Sequence, residues 1–337
     1  MRKQSVFIII IVATVLGYMF FKGTFSSPKI TGMEVALKTA TFLDKTIQSD
    51  GSFLFGYFCS SSVECFPVHP DFIQNSKLDY FKSDQIINSY LFLEELTGKK
   101  SYKDKADKAI QYVLDKCKEN KEFCELNFSS IAQYYKTTGN DKYLSAMLLL
   151  ANDFLSKDTL SLEETGRNLA FLFEATQEEK YKNRLLEITN EEMSNPKGSS
   201  LDYKISAAWS LYLPAYEVSE DERYLTAIKG TLDDFTVTKN LRVFRDVTNT
   251  ARLVDILLSL PVTESKDSIY RMQARDILQE LLKYTWDTPE NKKFNADYGF
   301  INNLELSEGK QTSKTALFNG WLARLFALMQ DEVFKIQ

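Results

Sequence analysis

Residues 91–102, LFLEELTGKKSY, hold an apolar helical run, a Thr-Gly turn and a tyrosine that opens a second helix. The unit returns as IAQYYKTTGNDKY at 131–143, LAFLFEATQEEKY at 169–181, SLYLPAYEVSEDERY at 210–224 and DILLSLPVTESKDSIY at 255–270. Its closing tyrosines, Tyr102, Tyr143, Tyr181, Tyr224 and Tyr270, stand 41, 38, 43 and 46 residues apart. A small residue follows most of them, as at Ala106, Ala146, Ala227 and Ala274. Self-similarity at this period marks stacked helical hairpins, none of which can bury its apolar face alone.

Working outward, a 3.6-residue period and its stops predict about twelve helices, or six hairpins. They fall near residues 32–47, 83–96, 102–117, 128–137, 142–156, 162–175, 179–193, 203–216, 222–236, 247–260, 265–284 and 312–329. The connections alternate. Turns before the Tyr-started helices are short, whereas those at 50–82, 194–202, 237–246 and 285–311 are long. Alternate connections lie on one side of a stack, so the long ones should gather at one end. Long irregular connections in a compact domain are commonly functional. Helices after the long connections are apolar nearly all round, as in GWLARLFALM at 320–329, and predict an inner ring. The Tyr-started helices carry charge on one face and predict an outer ring. The first helix has outer character and the last has inner character. Their pairing would close the ring; an open solenoid would leave them apart.

The Thr97-Gly98 and Thr138-Gly139 turns have distinctive company. Asp50-Gly51-Ser52-Phe53 follows the first outer helix, and Asp297-Tyr298-Gly299-Phe300 precedes the last inner one. In these features the chain, over about residues 31–330, resembles the six-hairpin glycosidase-like superfamily. The resemblance implies an all-α fold, an (α/α)6 toroid of six helical hairpins. That superfamily includes glycoside hydrolases, uronyl hydrolases, polysaccharide lyases, sugar epimerases and proteins without known activity. Its shared motifs are structural and transfer no catalytic residue to this chain.

Residues 1–30 read as a membrane anchor and short linker ahead of one domain at 31–337. Arg2 and Lys3 precede an apolar run from Val6 to Phe21, with Lys22 behind it. As a helix, the uncharged stretch from Gln4 to Phe21 would span roughly 27 Å, enough for a bilayer core. A cleaved signal peptide is the other reading, but bulky Tyr18, Met19, Phe20 and Phe21 stand where a cleavage site wants small residues. An anchor with positive charge at its N-terminus puts the N-terminus in the cytoplasm and the toroid outside it, at the cell membrane. The first 30 residues hold four of the 41 basic residues and none of the 46 acidic ones. The domain therefore has 37 basic residues against 46 acidic, a net charge of −9. That balance argues against a nucleic-acid partner. Outside the cytoplasm, the close pairs Cys59/Cys65 and Cys117/Cys124 read as two disulfides. Zinc and free thiols are the competing readings. One histidine and no two-residue cysteine gap make a metal site the weaker choice. No metal or cofactor is expected.

Polar side chains at the starts of inner helices should face the mouth of the ring, the natural place for a ligand. Glycosidic-bond hydrolysis needs two carboxyl groups. Asp84 and Asp246 are the favoured pair, with Asp79 and Asp297 next; Asp84 and Asp246, at helix starts, also fit a helix-capping role. Tyr57, Tyr80, His69 and Trp321 are candidates for binding substrate. Arg167, Arg252 and Arg324 lie in apolar inner helices, where an unpaired charge is costly. They call either for a salt bridge to an inner-ring acid such as Asp255 or Glu174, or for a clamp on the carboxylate or sulfate of an acidic sugar. The functional expectation is a membrane-anchored, extracytoplasmic protein with a carbohydrate or other small polar ligand as partner. It would cleave glycosidic bonds in a central cleft. A polysaccharide lyase, a sugar epimerase or a non-catalytic binding scaffold on the same ring are the alternatives.

Overall fold

The computed structural model describes residues 29–54, 56–59, 65–68, 84–156, 162–238, 247–260, 267–282 and 312–335. The chain enters through strand β1 (Lys29–Thr31) and helix α1 (Gly32–Asp44). Five inner helices follow: α2 (Asp84–Thr97), α5 (Phe128–Thr138), α7 (Leu162–Thr176), α9 and α11 (Val247–Ser259). Helix α9 runs through Leu201–Ala207, a π-helical turn at Ala208–Tyr212, and Leu213–Ser219. The outer helices between them are α3 (Lys100–Glu119), α6 (Asp141–Ser156), α8 (Glu179–Ser194), α10 (Glu222–Thr238) and α12 (Asp267–Leu281), with short α4 (Lys121–Leu126) after α3. Helix α13 (Ala316–Leu328) completes the inner ring, and strand β5 (Val333–Lys335) ends it. Each inner helix packs on the next, and α13 packs back on α2.

The ring is closed. Helix α1 lies along α13, and β1 pairs antiparallel with β5, Ile30 opposite Phe334. The approach is tight at Gly32: a β-carbon there would stand 2.1 Å from the Met329 carbonyl oxygen and 2.6 Å from that of Phe326. Thr31 caps α1 reciprocally with Glu34, so helix start and ring seam coincide.

Four hairpins share one turn, and it explains the repeating sequence. Gly98, Gly139, Gln177 and Glu220 each take a left-handed conformation after an inner helix. Each N–H returns to a carbonyl four residues back, at 2.7 Å. The preceding Thr97, Thr138, Thr176 or Ser219 hydroxyl donates to its own helix and accepts an N–H two residues on. The tyrosine that follows buries its ring: Tyr102, Tyr143, Tyr181 and Tyr224 are all in the core.

The predicted last helix, 312–329, is corrected at its start. Residues Thr312–Thr315 form strand β4, which pairs with β2 (Gly56–Cys59), itself paired with β3 (Cys65–Val68). Thr312, Ser313 and Thr315 suit a pleated surface better than a first helical turn. The register sets Cys59 opposite Cys65. Cys117 and Cys124 form a disulfide, Cα atoms 4.7 Å apart, that ties the end of α3 to α4. Among the described residues no helix is long and apolar enough to cross a membrane. The run from Val6 to Phe21 lies outside them.

Two outcomes follow from these contacts. Gly32→Ala should destabilise the fold by about 1–3 kcal/mol, the usual cost of overpacking, measured by urea denaturation. Glu220→Gly should stabilise it by about 0.5–1 kcal/mol, since glycine adopts the left-handed turn without a side-chain penalty.

Candidate functional site

The inner helices surround a cavity of about 500 Å³. It runs along the ring axis: Asp84 and Glu94 both line it, and ten helical residues separate them, about 15 Å. Asp84, Asn88 and Ser129 mark the end where inner helices begin. Glu95, Lys136, Glu174 and Glu217 mark the end where they finish, and there the side chains are exposed.

Asp84 is the first residue of α2 and is buried. Its Oδ2 accepts hydrogen bonds from Ser129 on the adjacent inner helix at 2.7 Å and from Gln85 at 3.2 Å. Its Oδ1 is buried with no hydrogen-bond partner, as are Asn88 Oδ1 and Asn168 Nδ2 on the same cavity wall. Native buried polar atoms are nearly always satisfied, so three orphans around one cavity mark a place for water or a polar ligand.

At mid-depth the wall is organised by Trp209. The π-turn that carries it has a local cause. Pro214 has no N–H for the helical ladder, and the chain widens so that the Leu213 N–H reaches the Ala208 carbonyl. The Trp209 indole N–H donates to Asp255 Oδ2 at 2.8 Å. Arg324 donates to Asp255 Oδ1 at 2.5 Å. The Arg167 guanidinium lies 4.4 Å from the Trp209 ring centre, and that of Arg252 lies 5.4 Å from it.

The three inner-ring arginines therefore divide. Arg324 forms a salt bridge to Asp255, one of the two roles the sequence left open for it. Arg252 is buried and donates to Ser206 at 3.3 Å and Asn249 at 3.1 Å. Arg167 lines the cavity, and among the described residues it is paired with no carboxylate. Trp321 packs against Trp209 at 5.1 Å and is buried away from the cavity lining. Tyr57 lies on β2, opposite Lys314 of the strand leading into α13, which sets its backbone at the Asp84 end. Asp79, Tyr80, His69, Asp246 and Asp297 lie outside the described residues.

Glu217 was not singled out from the sequence, although it is the only charge in the run SLYLPAYEVS. Solvent reaches it through the exposed rim, yet the ring encloses it on most sides. Removal from bulk water raises its carboxyl pKa above the ordinary glutamate value. Arg167 opposes the rise; Glu174 and Asp255 add to it; Lys136 also opposes it.

No protein-family model and no curated protein matches this chain. Solved structures do. An unsaturated glucuronyl hydrolase from Streptococcus agalactiae, crystallised as a mutant, superposes with a TM-score of 0.66 at 14% identity, over 89% of this chain and 92% of that one. An unsaturated glucuronyl hydrolase specific for heparin gives 0.65 at 13% identity, over 88% and 96%. An inactive α-1,6-mannanase variant of Salegentibacter sp., bound to an α-1,6-mannotetraose, gives 0.64 at 12% identity, over 89% and 100%. The chain has the (α/α)6 six-hairpin fold of these proteins.

The raised Glu217 pKa has a consequence for stability. The folded chain holds this proton more tightly than the unfolded chain. Stability should fall as pH rises from the ordinary glutamate range through the raised value. Glu217→Gln should therefore melt higher than the native protein at pH 7 and level with it at pH 4, by differential scanning fluorimetry.

Proposed function

We propose that this protein cleaves glycosidic bonds in anionic glycans, which it takes into the axial cavity. The observation that carries this reading is the cavity wall itself. It combines a buried carboxyl with a free oxygen, Asp84, two orphaned amide groups, and Arg167, a guanidinium stacked on Trp209 to which no carboxylate is hydrogen-bonded among the described residues. A guanidinium in such a position is suited to a carboxylate or sulfate on a sugar. A filled ring with every acid capped or paired would have favoured a scaffold. Here the closed ring keeps an unfilled axial cavity, and among the described residues Asp84 has an oxygen without a partner while Asp255 and Glu174 are paired.

Asp84 would act on the scissile bond as one of the two carboxyl groups. Glu217 is not its partner: the two stand at opposite ends of the cavity, beyond the separation of about 5–9.5 Å that glycoside hydrolysis uses. The second group is sought among Asp79, Asp246 and Asp297, the other acids that the sequence singles out. Neighbours of the same fold act on unsaturated glucuronyl groups or bind α-1,6-mannotetraose. That likeness supports a carbohydrate ligand and leaves the linkage to experiment.

In this reading Val6–Phe21 anchors the protein, and the ring works outside the cytoplasm. The Cys117–Cys124 disulfide supports an oxidising compartment. The chain enters the ring at β1, beside the inner-helix C-termini, at the end of the cavity away from Asp84.

The test is a panel of uronic-acid-containing, sulfated and neutral oligosaccharides, with products read by mass spectrometry. Hydrolysis adds water across the bond; a lyase would leave an unsaturated product and an epimerase would leave the chain length unchanged. Asp84→Asn should lower kcat/KM by about 10²–10⁴-fold while stability stays within about 2 kcal/mol. Arg167→Met should raise KM for anionic substrates and leave neutral ones nearly unchanged. Full activity in Asp84→Asn would clear that residue, and no turnover on any glycan would return the ring to the scaffold reading.

A further inference from the structure

A second cleft, of about 800 Å³, lies on the outer flank of the ring between α8, α9 and α10. It is separate from the axial cavity and shares none of its lining. Its floor is made of small residues: Ala207, Ala227 and Gly230. Tyr203 and Tyr212 supply aromatic walls. At one end stands Glu192, only 2% exposed.

Glu192 is held from one side. Its Oε1 accepts a hydrogen bond from the Tyr203 hydroxyl at 2.7 Å and from the Lys197 backbone N–H at 3.3 Å. Its Oε2 is buried and has no hydrogen-bond partner. The cleft's own cation does not answer it: the Lys204 ammonium is bound by Asp234 at 2.5 Å. Lys197 contributes its main chain, and its side chain is exposed. A buried carboxylate oxygen without a donor or counter-charge is costly. Burial, followed by the charge of Glu192, pushes the Tyr212 phenol up to about 12, so that wall remains a neutral hydroxyl.

The geometry points to a binding site for a small organic cation, an ammonium group carried on an apolar or ring-shaped body. The ammonium supplies the donor and the charge that Glu192 Oε2 lacks. Glu192 lines the cleft, and with Oε1 fixed by its two donors, Oε2 is the oxygen left for the ligand. The body lies in the small-residue trough, with the tyrosine rings offering cation–π contact as well as apolar surface. None of the axial-cavity residues takes part, so the site stands or falls apart from the glycan-cleaving reading.

Titration calorimetry on the full-length protein, with benzylamine as probe and benzyl alcohol as its neutral counterpart, tests this. Benzylamine should bind saturably, and benzyl alcohol about tenfold or more weaker, as befits a charge-assisted contact. Glu192→Gln should weaken benzylamine to the level of the alcohol. A β-carbon at Gly230 meets nothing within 4 Å, so Gly230→Leu should fill the trough and abolish binding while leaving the melting temperature unchanged. That variant keeps the test decisive should Glu192→Gln fold poorly. No saturable binding of benzylamine would overturn the proposal. So would equal binding of the two probes, or binding that survives both substitutions.

Discussion

Everything central in this molecule depends on the seam between α1 and α13. A hairpin stack buries its apolar faces only against neighbours, so an open stack needs capping repeats at both ends. Here the two ends cap each other. The close approach at Gly32 and the two-stranded β1–β5 pairing bring outer helix to inner helix as in every other hairpin. Closure has a second effect. Six inner helices arranged in a circle cannot all meet at the axis, and the space left there is the cavity.

A ring of this kind exposes the middle of its inner helices to one another, where charge is expensive. The chain meets that constraint through Trp209 and Asp255. One indole N–H and one arginine occupy both oxygens of Asp255, and two further guanidiniums lie over the same indole. The arrangement holds Arg252 and Arg324 in place by hydrogen bonds. Arg167 stacks on the indole and faces the charge of Glu217, and among the described residues no carboxylate is hydrogen-bonded to it. Positioning by an aromatic face thus separates a structural arginine from a binding one, although both sit in apolar helical sequence.

The acids of the cavity are sorted in the same physical terms. Asp84 sits at the N-terminal end of an inner helix and is tied to the neighbouring helix through Ser129. Glu217, at the other end, has its carboxyl pKa raised by burial first and then by the charges of Glu174 and Asp255, against the opposing charge of Arg167.

The repeat, the alternation of short and long connections and the contrast between apolar and charged helices are local properties, and they determined the hairpin count, the inner and outer rings and their closure. The Thr-Gly-x-x-x-Tyr turn was legible at residues 97 and 138; at Gln177 and Glu220 the same left-handed turn forms without glycine, so only its geometry reveals it. Asp84 was legible as an acid at the start of an inner helix, and Arg167, Arg252 and Arg324 as charges in apolar helices, but which of them would pair with Asp255 was not. Tertiary structure alone decided the rest. Trp209, Asp255 and Arg324 come from three hairpins, and Glu217 feels the charges of Arg167 and Glu174 on the preceding inner helix, α7. Residues 46 to 69 positions apart meet through ring curvature, which no sequence period encodes. Trp321, an attractive binding residue by type, was turned behind Trp209 by the same packing, and Glu192 became a buried carboxylate only because the α8–α9 connection folds back over it.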